Sequence, residues 1–339
     1  MEIAKNGLGT TAPNPMVGAV IVYGKKIIGE GFTSAYGGAH AEVNAINSVV
    51  DPTLLEYATL YVSLEPCVHF GKTPPCVDLI LKHRIKKIVI GILDPHEKVA
   101  GKGVQKLIDA SCDVTVGVLE KECRAHHKRF LTFHQKKRPY IILKWAETLD
   151  GFIAPKKEER TSQPEPFWIT GRATRQIVHQ WRSEEQAILT GTNTVLEDNP
   201  KLNVRYWKGK NPVRIVLDRK LKIGRGFNVF DKSAPTIVLT EVTDASFYLK
   251  DITYELIGFQ GNVAAQICEK LYQHKINSVI VEGGSQTLQT FVDAGLWDEA
   301  RVLTGNTSFH QGLKAPVFTG CSMEKIKIDR NTLKIYKPC

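Results

Sequence analysis

Short apolar runs rich in β-branched residues recur along this chain, and segments with helical periodicity separate them. The first four runs lie at 18–23, 59–64, 87–92 and 114–118, and the helical segments between them lie at 41–50, 76–83 and 103–110. Strands that alternate with helices of about 10 residues are typical of an α/β fold with a covered central sheet. The pattern therefore predicts a three-layer α/β/α domain in this part of the chain.

A polar segment then interrupts the pattern. Residues 119–134 favour a charged helix, and Gln135-Lys136-Lys137-Arg138-Pro139 ends it, because proline disfavours helix in the residue before it. The alternation then resumes, with strands predicted at 140–145, 186–190, 213–218, 236–240 and 278–282 and helices at 172–183, 263–274 and 285–294. Since 339 residues suit two domains of ordinary size, we predict α/β domains at 1–138 and 139–339.

The composition limits where the protein can act. No apolar stretch approaches the roughly 20 residues needed to cross a bilayer, and the first 15 residues lack the apolar core and cleavage site of an export signal. We therefore expect a soluble, cytoplasmic protein without a membrane partner. In a reducing compartment, an odd number of cysteines, here seven, indicates metal ligands or free thiols rather than a disulfide framework.

The net charge does not by itself identify a partner. Lys and Arg total 45 against 35 Asp and Glu, which gives +10. Up to residue 143 there are 18 basic and 13 acidic residues, and beyond it 27 and 22, so each part carries an excess of five. A nucleic-acid-binding arm would concentrate this charge, whereas an even excess also fits small anionic substrates.

A histidine, a glutamate and two cysteines form the clearest chemical signal. The chain contains His40-Ala41-Glu42, then Pro66-Cys67 and Pro75-Cys76. One imidazole and two thiolates leave a tetrahedral Zn²⁺ one open position, which is typical of a catalytic site. This order is the signature of the zinc deaminases, in which the glutamate transfers protons and is not a ligand. An isolated cysteine would more simply be a buried structural residue, but four residues in this order favour the metal site.

The spacing of the cysteines differs from the usual deaminase pattern. Two residues normally separate them, whereas eight residues, 68–75, do so here. His69 lies in this insertion, where it is a possible fourth zinc ligand, although a substrate contact or a structural role is favoured.

The insertion also carries a resemblance. Residues 63–76, Ser-Leu-Glu-Pro-Cys-Val-His-Phe-Gly-Lys-Thr-Pro-Pro-Cys, and residues 13–18, Pro-Asn-Pro-Met-Val-Gly, closely resemble the bifunctional riboflavin-biosynthesis deaminase/reductase family. Its members join a cytidine-deaminase-like domain to a dihydrofolate-reductase-like domain. The resemblance implies that His40, Cys67 and Cys76 bind zinc and that Glu42 transfers protons. It also implies that Asn14 and Lys72 contact the deaminase substrate, with Lys72 at its phosphate.

The second domain lacks a Gly-x-Gly-x-x-Gly run after a strand, which excludes a standard Rossmann dinucleotide site. Gly283-Gly284 precedes a predicted helix, whose free N–H groups would favour phosphate. Taken alone, a Gly-Gly pair is more often a tight connection. Residues 189–200, Leu-Thr-Gly-Thr-Asn-Thr-Val-Leu-Glu-Asp-Asn-Pro, and 168–170, Trp-Ile-Thr, resemble the reductase half of the same family. Pro164-Glu165-Pro166 departs from the family's Gly-Glu-Ser, so no substrate contact is inferred there.

The reductase resemblance implies two sets of contacts. The NADPH contacts would be Ala146, Trp168, Thr194, Asp198, Gly284, Ser285, Gln286, Thr287, Leu288, Gln289 and Thr290. The substrate contacts would be Lys144, Arg182, Leu202, Arg205 and Glu282. The remaining cysteines, Cys112, Cys123, Cys268, Cys321 and Cys339, are expected to be ordinary thiols.

The resemblance thus implies two consecutive reactions. The first is zinc-dependent deamination of 2,5-diamino-6-(5-phosphoribosylamino)pyrimidin-4(3H)-one. The second is NADPH-dependent reduction of the ribosyl chain of 5-amino-6-(5-phosphoribosylamino)uracil to a ribityl chain. The expected partners are phosphorylated pyrimidines and further copies of the chain, in a dimer or higher oligomer, without nucleic acid. Two alternatives remain open: an RNA-directed zinc deaminase with an RNA-binding second domain, and a structural zinc module on an α/β binding domain.

Overall fold

A computed structural model describes residues 1–70, 74–95, 100–160 and 163–339. Contacts between Cα atoms divide the chain into two compact units, Met1–Lys137 and Arg138–Cys339, and each is described by itself. Within these described ranges, no helix combines the length and the apolar character that a membrane crossing requires.

The first unit is built on a five-stranded mixed sheet. Its strands are β1 Gly18–Tyr23, β2 Lys26–Phe32, β3 Thr59–Leu64, β4 Lys87–Ile92 and β5 Asp113–Val116, and its helices are α1 Ala41–Asn47, α2 Cys76–Lys82, α3 Lys102–Asp109, α4 Glu120–His126 and α5 Lys128–Lys136, with 3-10 helices at Ile3–Gly7 and Pro52–Tyr57. The strand order is β2-β1-β3-β4-β5. Strands β3, β4 and β5 are parallel, whereas β1 is antiparallel to both of its neighbours.

Two glycines in β2 allow α1 to pack directly on the sheet. A Cβ atom on Gly31 would lie 2.4 Å from the backbone nitrogen of Ala45, and one on Gly29 would lie 2.6 Å from its carbonyl oxygen. Side chains at these positions would push α1 away from β2. This close packing matters because α1 follows His40 and carries Glu42.

The pairing of the strands brings several loops to one edge of this sheet. Gly18, at the start of β1, pairs with Phe32 at the end of β2, and Leu64 at the end of β3 pairs with Ile92 at the end of β4. Since β1 is antiparallel to β3, the segment before β1 lies at the same edge as the segment after β3. The motif at 13–18 and the described segment 65–70 therefore meet at this edge.

The second unit contains a nine-stranded sheet and a separate two-stranded ribbon. Its strands are β6 Tyr140–Glu147, β7 Phe152–Ala154, β8 Ala187–Gly191, β9 Val213–Leu217, β10 Thr236–Thr240, β11 Thr253–Leu256, β12 Ser278–Val281, β13 Glu299–Thr304, β14 Leu313–Lys314, β15 Cys321–Ile328 and β16 Asn331–Lys337. Its helices are α6 Arg172–Glu184, α7 Thr192–Asp198, α8 Val263–Gln273 and α9 Ser285–Asp293, with 3-10 helices at Lys157–Glu159, Asn228–Phe230 and Ala245–Phe247. The large sheet has the order β11-β10-β9-β8-β12-β6-β13-β16-β15, and β7 pairs with β14.

Both faces of the nine-stranded sheet are buried near its centre. Ile141 and Leu143 of β6 belong to one apolar core, and Tyr140 and Ile142 belong to the core on the other face. Side chains alternate between the faces of a strand, and parallel strands covered on both sides are apolar throughout. This explains why the central strands are continuous apolar runs. The sheet is parallel from β11 to β13, and β16 and β15 extend it in antiparallel fashion.

The expectation of free thiols at Cys321 and Cys339 is wrong, because a disulfide joins them. The β15–β16 hairpin places Cys321 opposite Lys337, two residues before Cys339, and the two cysteine Cα atoms lie 5.1 Å apart. The hairpin register, which the sequence analysis did not predict, is what brings them together. The other five cysteines are free, as expected for zinc ligands and ordinary thiols.

Candidate active sites

Three ligand side chains of the first unit converge at the loop edge of its sheet. The side-chain ligand atoms of His40, Cys67 and Cys76 lie within 4.8 Å of one another. Nδ1 of His40 is 3.2 Å from Sγ of Cys76 and 3.5 Å from Sγ of Cys67. Zinc bonds of about 2.0 Å to nitrogen and about 2.3 Å to sulfur give an N···S separation of roughly 3.5 Å in a tetrahedral site. The donors therefore fit a zinc ion.

The starts of two helices position these ligands. His40 directly precedes α1, and Cys76 is the first residue of α2. The N–H of Cys76 donates to Sγ of Cys67 at 3.4 Å, and the N–H of Val77 donates to the carbonyl oxygen of Cys67 at 3.2 Å. Free N–H groups and the dipole at a helix start favour a thiolate. The two cysteines therefore lie next to each other although eight residues separate them in the sequence.

The protonation of the thiols suits metal binding. A hydrogen bond from Cys76, supported by the contact with His40, lowers the pKa of Cys67 to about 4 against the effect of burial. The same hydrogen bond, together with burial, raises the pKa of Cys76. The contact with Cys67 raises the pKa of His40, although burial opposes it. Cys67 is therefore a thiolate at neutral pH, which is the form that binds zinc.

Glu42 is a buried carboxyl group in the first turn of α1. It is 4 % exposed, and burial raises its pKa to about 7, with a further contribution from the charge of Cys67. A carboxyl group with a pKa near neutrality takes up and releases protons efficiently at neutral pH. Two residues further on, Nδ2 of Asn44 donates to the carbonyl oxygen of Phe32 at 2.7 Å and to Oγ of Ser34 at 3.0 Å, which fixes α1 to the end of β2.

The predicted contacts of the deaminase substrate are Asn14, His69 and Lys72. Asn14 is partly buried in the segment before β1, at the same sheet edge as Cys67, and its N–H donates to the carbonyl oxygen of Thr11. His69 is exposed, and the described metal cluster does not include it. Lys72 lies outside the described residues.

Glu65, which the sequence analysis did not single out, is a buried acceptor behind the zinc ligands. It is 3 % exposed and directly precedes the Pro66-Cys67 pair. Its carboxylate accepts four backbone N–H bonds of 2.8 to 3.1 Å, from Asp94, Gly101, Gly103 and Val104. It therefore joins the zinc-ligand segment to the start of α3. The sequence feature that could have identified it is a glutamate directly after an apolar strand.

A cavity of about 420 Å³ forms the candidate site of the second unit. It includes residues from β6, α6 and α7 and from the turn between β12 and α9. It brings together most of the predicted reductase residues, namely Lys144, Ala146, Trp168, Arg182, Thr194, Asp198, Leu202, Arg205, Glu282 and Gly284.

The predicted cofactor contacts in α9 are not part of the cavity lining. A Cβ atom on Gly283 would lie 2.8 Å from Cβ of Thr287, and one on Gly191 would lie 2.5 Å from its Oγ1, so the Thr287 side chain fills the turn. Leu288 is fully buried in the core, and Nε2 of Gln289 donates to the carbonyl oxygen of Val317 at 3.0 Å. The cavity lining includes Gly283 and Gly284 but none of the predicted residues Ser285, Gln286, Thr287, Leu288, Gln289 and Thr290. Gly283 therefore serves helix packing.

An ion cluster is part of the cavity lining. Nε and Nη2 of Arg182 each donate to the Glu282 carboxylate at 2.8 Å, and Nζ of Lys144 donates to it at 3.2 Å. Burial acts to raise the pKa of Glu282, but the positive charges of Arg182 and Lys144 outweigh it and hold that pKa well below its usual range. Glu282 is therefore an acceptor for hydrogen bonds and not a proton donor.

Three further cations of the cavity, Arg160, Arg175 and Lys201, were not predicted from the sequence. Arg160 donates to Glu197 at 2.7 Å and to the Asp198 carboxylate. Arg175 stacks on Trp168, with its guanidinium carbon 4.5 Å from the ring centroid. Arg175 lies seven residues before Arg182, which places both on one face of α6, and this helical spacing could have identified it.

The fold and the sites define the class of protein. The first unit has the ligand set and buried glutamate of a zinc deaminase, and residues 1–92 match the family model of the cytidine and deoxycytidylate deaminase zinc-binding region. The second is a dihydrofolate-reductase-like α/β unit, and residues 139–329 match the model of the RibD C-terminal domain. The chain belongs to the RibD family of riboflavin biosynthesis proteins, which are bifunctional deaminases and reductases that use zinc and NADPH.

Similar proteins support this assignment over nearly the whole chain. The riboflavin biosynthesis protein RibD of Aquifex aeolicus is 40% identical over 316 residues, which cover 92% of this chain and 86% of that protein. The Escherichia coli protein of the same name is 33% identical over 314 residues, which cover 88% of this chain and 83% of that protein. A solved structure from Thermotoga maritima, a diaminohydroxyphosphoribosylaminopyrimidine deaminase/5-amino-6-(5-phosphoribosylamino)uracil reductase, has a TM-score of 0.90 at 39% identity and covers 100% of this chain and 96% of its own.

A second solved structure, RibD of Acinetobacter baumannii, has a TM-score of 0.89 at 32% identity and covers 100% of this chain and 96% of its own. Because the second unit matches a reductase model, the alternative of an RNA-directed deaminase with an RNA-binding second domain is not supported. The same match argues against a structural zinc module on a binding domain.

Proposed function

We propose that the first unit deaminates 2,5-diamino-6-(5-phosphoribosylamino)pyrimidin-4(3H)-one and that the second reduces the resulting 5-amino-6-(5-phosphoribosylamino)uracil. The observation that carries the first assignment is the convergence of His40, Cys67 and Cys76 beside the buried Glu42. The activities named for the similar Thermotoga maritima structure support the choice of substrates. We further propose that residues 1–138 and 139–339 divide the two activities.

In the deaminase unit, His40, Cys67 and Cys76 hold the zinc ion, which when bound supplies a nucleophilic hydroxide near neutral pH. Glu42 accepts the proton that the attacking water releases and delivers it to the departing amine, so that water and the amino-pyrimidine become ammonia and the pyrimidinone. Its burial keeps competing water from the carboxyl group. Asn14 orients the pyrimidine, and His69 and Lys72 contact the substrate on the insertion side.

In the reductase unit, NADPH supplies the hydride that reduces C1′ of the ribose. Lys144 donates a hydrogen bond to the sugar oxygen that gains a proton when the ring opens, and Glu282 holds Lys144 and Arg182 in place. Arg182, Leu202 and Arg205 line the part of the cavity that receives the pyrimidine phosphate. The proposed cofactor contacts are Ala146, Trp168, Thr194, Asp198 and Gly284, together with residues 285–290 of α9, where the first N–H groups of the helix would favour phosphate.

We also propose that the protein is a cytoplasmic homo-oligomer without a nucleic-acid partner. Its five free cysteines suit a reducing compartment, and the Cys321–Cys339 disulfide is the exception. The even division of the positive charge between the two parts of the chain supports small anionic ligands over a nucleic acid.

A single assay tests the proposed reactions. The diamino-pyrimidine phosphate is incubated with the full-length protein, with and without NADPH, and the products are identified by mass. Exchange of an amino group for oxygen should occur without NADPH, and a further gain of two hydrogens should require it. The substrate assignment is refuted if the pyrimidine keeps its amine and added 5-amino-6-(5-phosphoribosylamino)uracil is not reduced.

A further inference from the structure

One face of α6 contributes three basic side chains to the reductase cavity. Arg175, His179 and Arg182 follow one another at spacings of four and three residues, and all three line the cavity. This spacing places them on one side of a helix. Burial, followed by the charge of Arg182, lowers the pKa of His179 to about 4. The permanent charges on this face are therefore those of the two arginines.

The cavity carries more positive than negative charge. Among the residues that the structure describes, its lining contains six cations, Lys144, Arg160, Arg175, Arg182, Lys201 and Arg205, against three carboxylates, Glu197, Asp198 and Glu282. Glu282 is bound by Lys144 and Arg182, and the other two carboxylates are bound by Arg160. The carboxylates are thus already paired, and three cations remain for anionic groups of a ligand.

Arg175 differs from the other two cations that remain. Lys201 and Arg205 are exposed, and Nη1 of Arg205 donates to Asn203. Arg175 is partly buried, and among the described residues its Nε is a buried donor without a hydrogen-bond partner. Its guanidinium stacks at 4.5 Å on the ring of Trp168, which is half exposed. A buried donor without an acceptor is destabilising unless a ligand satisfies it.

We propose that Arg175 binds a phosphate group of a reductase ligand, an inference that rests on the proposed reductase function. A guanidinium offers a planar set of N–H donors that matches phosphate oxygens, and an aromatic ring holds that plane in one orientation. Arg175 lines the cavity with its guanidinium held against the ring of Trp168. The phosphate belongs either to the pyrimidine nucleotide or to NADPH, and both sources share this chemistry.

The test compares R175M and R175K with the unchanged full-length chain. R172M is the matched control, because Arg172 begins the same helix, is exposed and does not line the cavity. Zinc content and deaminase activity report on the first unit, and the thermal unfolding of the second unit reports on its integrity. The Kd of NADPH is measured by fluorescence titration without pyrimidine, and the KM of the pyrimidine phosphate is measured at saturating NADPH.

We expect R175M to weaken one of these constants about 10- to 100-fold, as for loss of a charged hydrogen bond. R175K keeps the charge but loses the planar fork, so its loss should be smaller. A raised Kd alone assigns the phosphate to NADPH, and a raised KM alone assigns it to the pyrimidine. Ligands without phosphate, reduced nicotinamide riboside and the dephosphorylated pyrimidine nucleoside, should not be weakened in either variant.

Three results would overturn the proposal: constants within twofold of the unchanged protein, the same change in R172M, or an equal loss for the phosphate-free ligands. The last result would mean that Arg175 only positions Trp168. Should R175M fail to fold, R175K decides by the same criteria. The NADPH titration needs no turnover, so failure of the unchanged protein to reduce the uracil would refute the proposed function separately.

Discussion

Among single residues, Glu42 is the clearest case of a side chain that its surroundings suit to the proposed chemistry. Its neighbours in sequence are ordinary helix residues, but burial alters its acidity enough to suit proton transfer at neutral pH. The sequence motif identified the residue because its position after His40 is fixed by the start of α1. The altered pKa could not be read from the motif, because it depends on the packing of α1 against β2.

We predict that E42Q retains zinc and loses deamination by about 10²- to 10⁴-fold, the usual contribution of general acid–base catalysis. The amide keeps the shape of the side chain but cannot carry a proton between water and the leaving amine. Ammonia release and metal analysis measure the two effects, and reductase turnover should not change. Glu56, exposed in the first unit, supplies the control variant E56Q. Deamination at the normal rate in E42Q would contradict this role.

The zinc ligands make a second prediction at this scale. C67A and C76A should each lower the zinc content from about one ion per chain to a small fraction of it, because two remaining protein ligands bind zinc weakly. C112A is the matched control, since Cys112 is also a buried free cysteine of this unit but lies outside the ligand cluster. Metal analysis after dialysis gives the answer. If both variants kept a full complement of zinc, the ligand set would be wrong.

Glu282 predicts an effect of pH on the second unit. Arg182 and Lys144 hold its pKa below 4.5, so its ion pairs stabilise the folded state above the unfolded pKa and are lost as pH falls through the folded one. The difference in unfolding free energy between the unchanged protein and E282Q should therefore be constant from about pH 6 to about pH 8 and shrink in acid. Chemical unfolding of both proteins, from about pH 8 down into the acid range, measures this difference in unfolding free energy. A difference that grows in acid would contradict the assignment.

At the scale of elements, the sequence predicted most of the buried strands, although not β13, and the long amphipathic helices. Strands β1, β3 and β4 and helix α6 were visible because apolar periodicity follows burial. Strand β2 escaped because Gly29 and Gly31 replace the expected β-branched residues, and they do so to admit α1. The exposed hairpin strand β15 has no buried face to produce a pattern, and the predicted helix at 119–134 proves to be two helices that meet at His127.

The same limit applied to the sites. Residues in local motifs, such as the zinc ligands and Glu282, could be predicted, because their contacts follow from their position at a strand or helix end. Glu65 was not predicted, because its partners lie 29 to 39 residues further along the chain and only the fold brings them near. Arg175 was not predicted either, although its partner Trp168 lies only seven residues before it, because its place in the cavity depends on the fold. The contacts predicted in α9 stay a prediction: none of these residues lines the cavity, because a helix turns most of its side chains away from any one ligand.

The contact between Glu65 and the start of α3 leads to a prediction about the stability of the first unit. E65Q should destabilise the first unit by about 2 to 4 kcal/mol, because an amide nitrogen cannot accept the two N–H bonds that one carboxylate oxygen accepts at the start of α3. The displaced Pro66-Cys67 segment should also reduce deamination while the reductase remains active. Unfolding followed in the first unit and ammonia release measure these changes. An effect no larger than that of E56Q would show that the four bonds are dispensable.

At the scale of the whole molecule, each unit has its own sheet, core and candidate site. The residues proposed for deamination all lie in the first unit, and those proposed for reduction all lie in the second. The two activities should therefore be lost separately. A mixture of two variants, each inactive in a different unit, can test this separation.

We predict that neither E42Q nor E282Q alone converts the diamino-pyrimidine phosphate to the ribityl product, whereas an equimolar mixture does. E282Q chains would still deaminate, and E42Q chains would reduce the released uracil with NADPH. Product formation followed by mass, with each half-reaction assayed separately, measures this. The double variant E42Q/E282Q serves as the control, since mixing it with either single variant should restore nothing. Loss of reductase turnover on supplied uracil in E42Q would contradict the division of the two activities between the units.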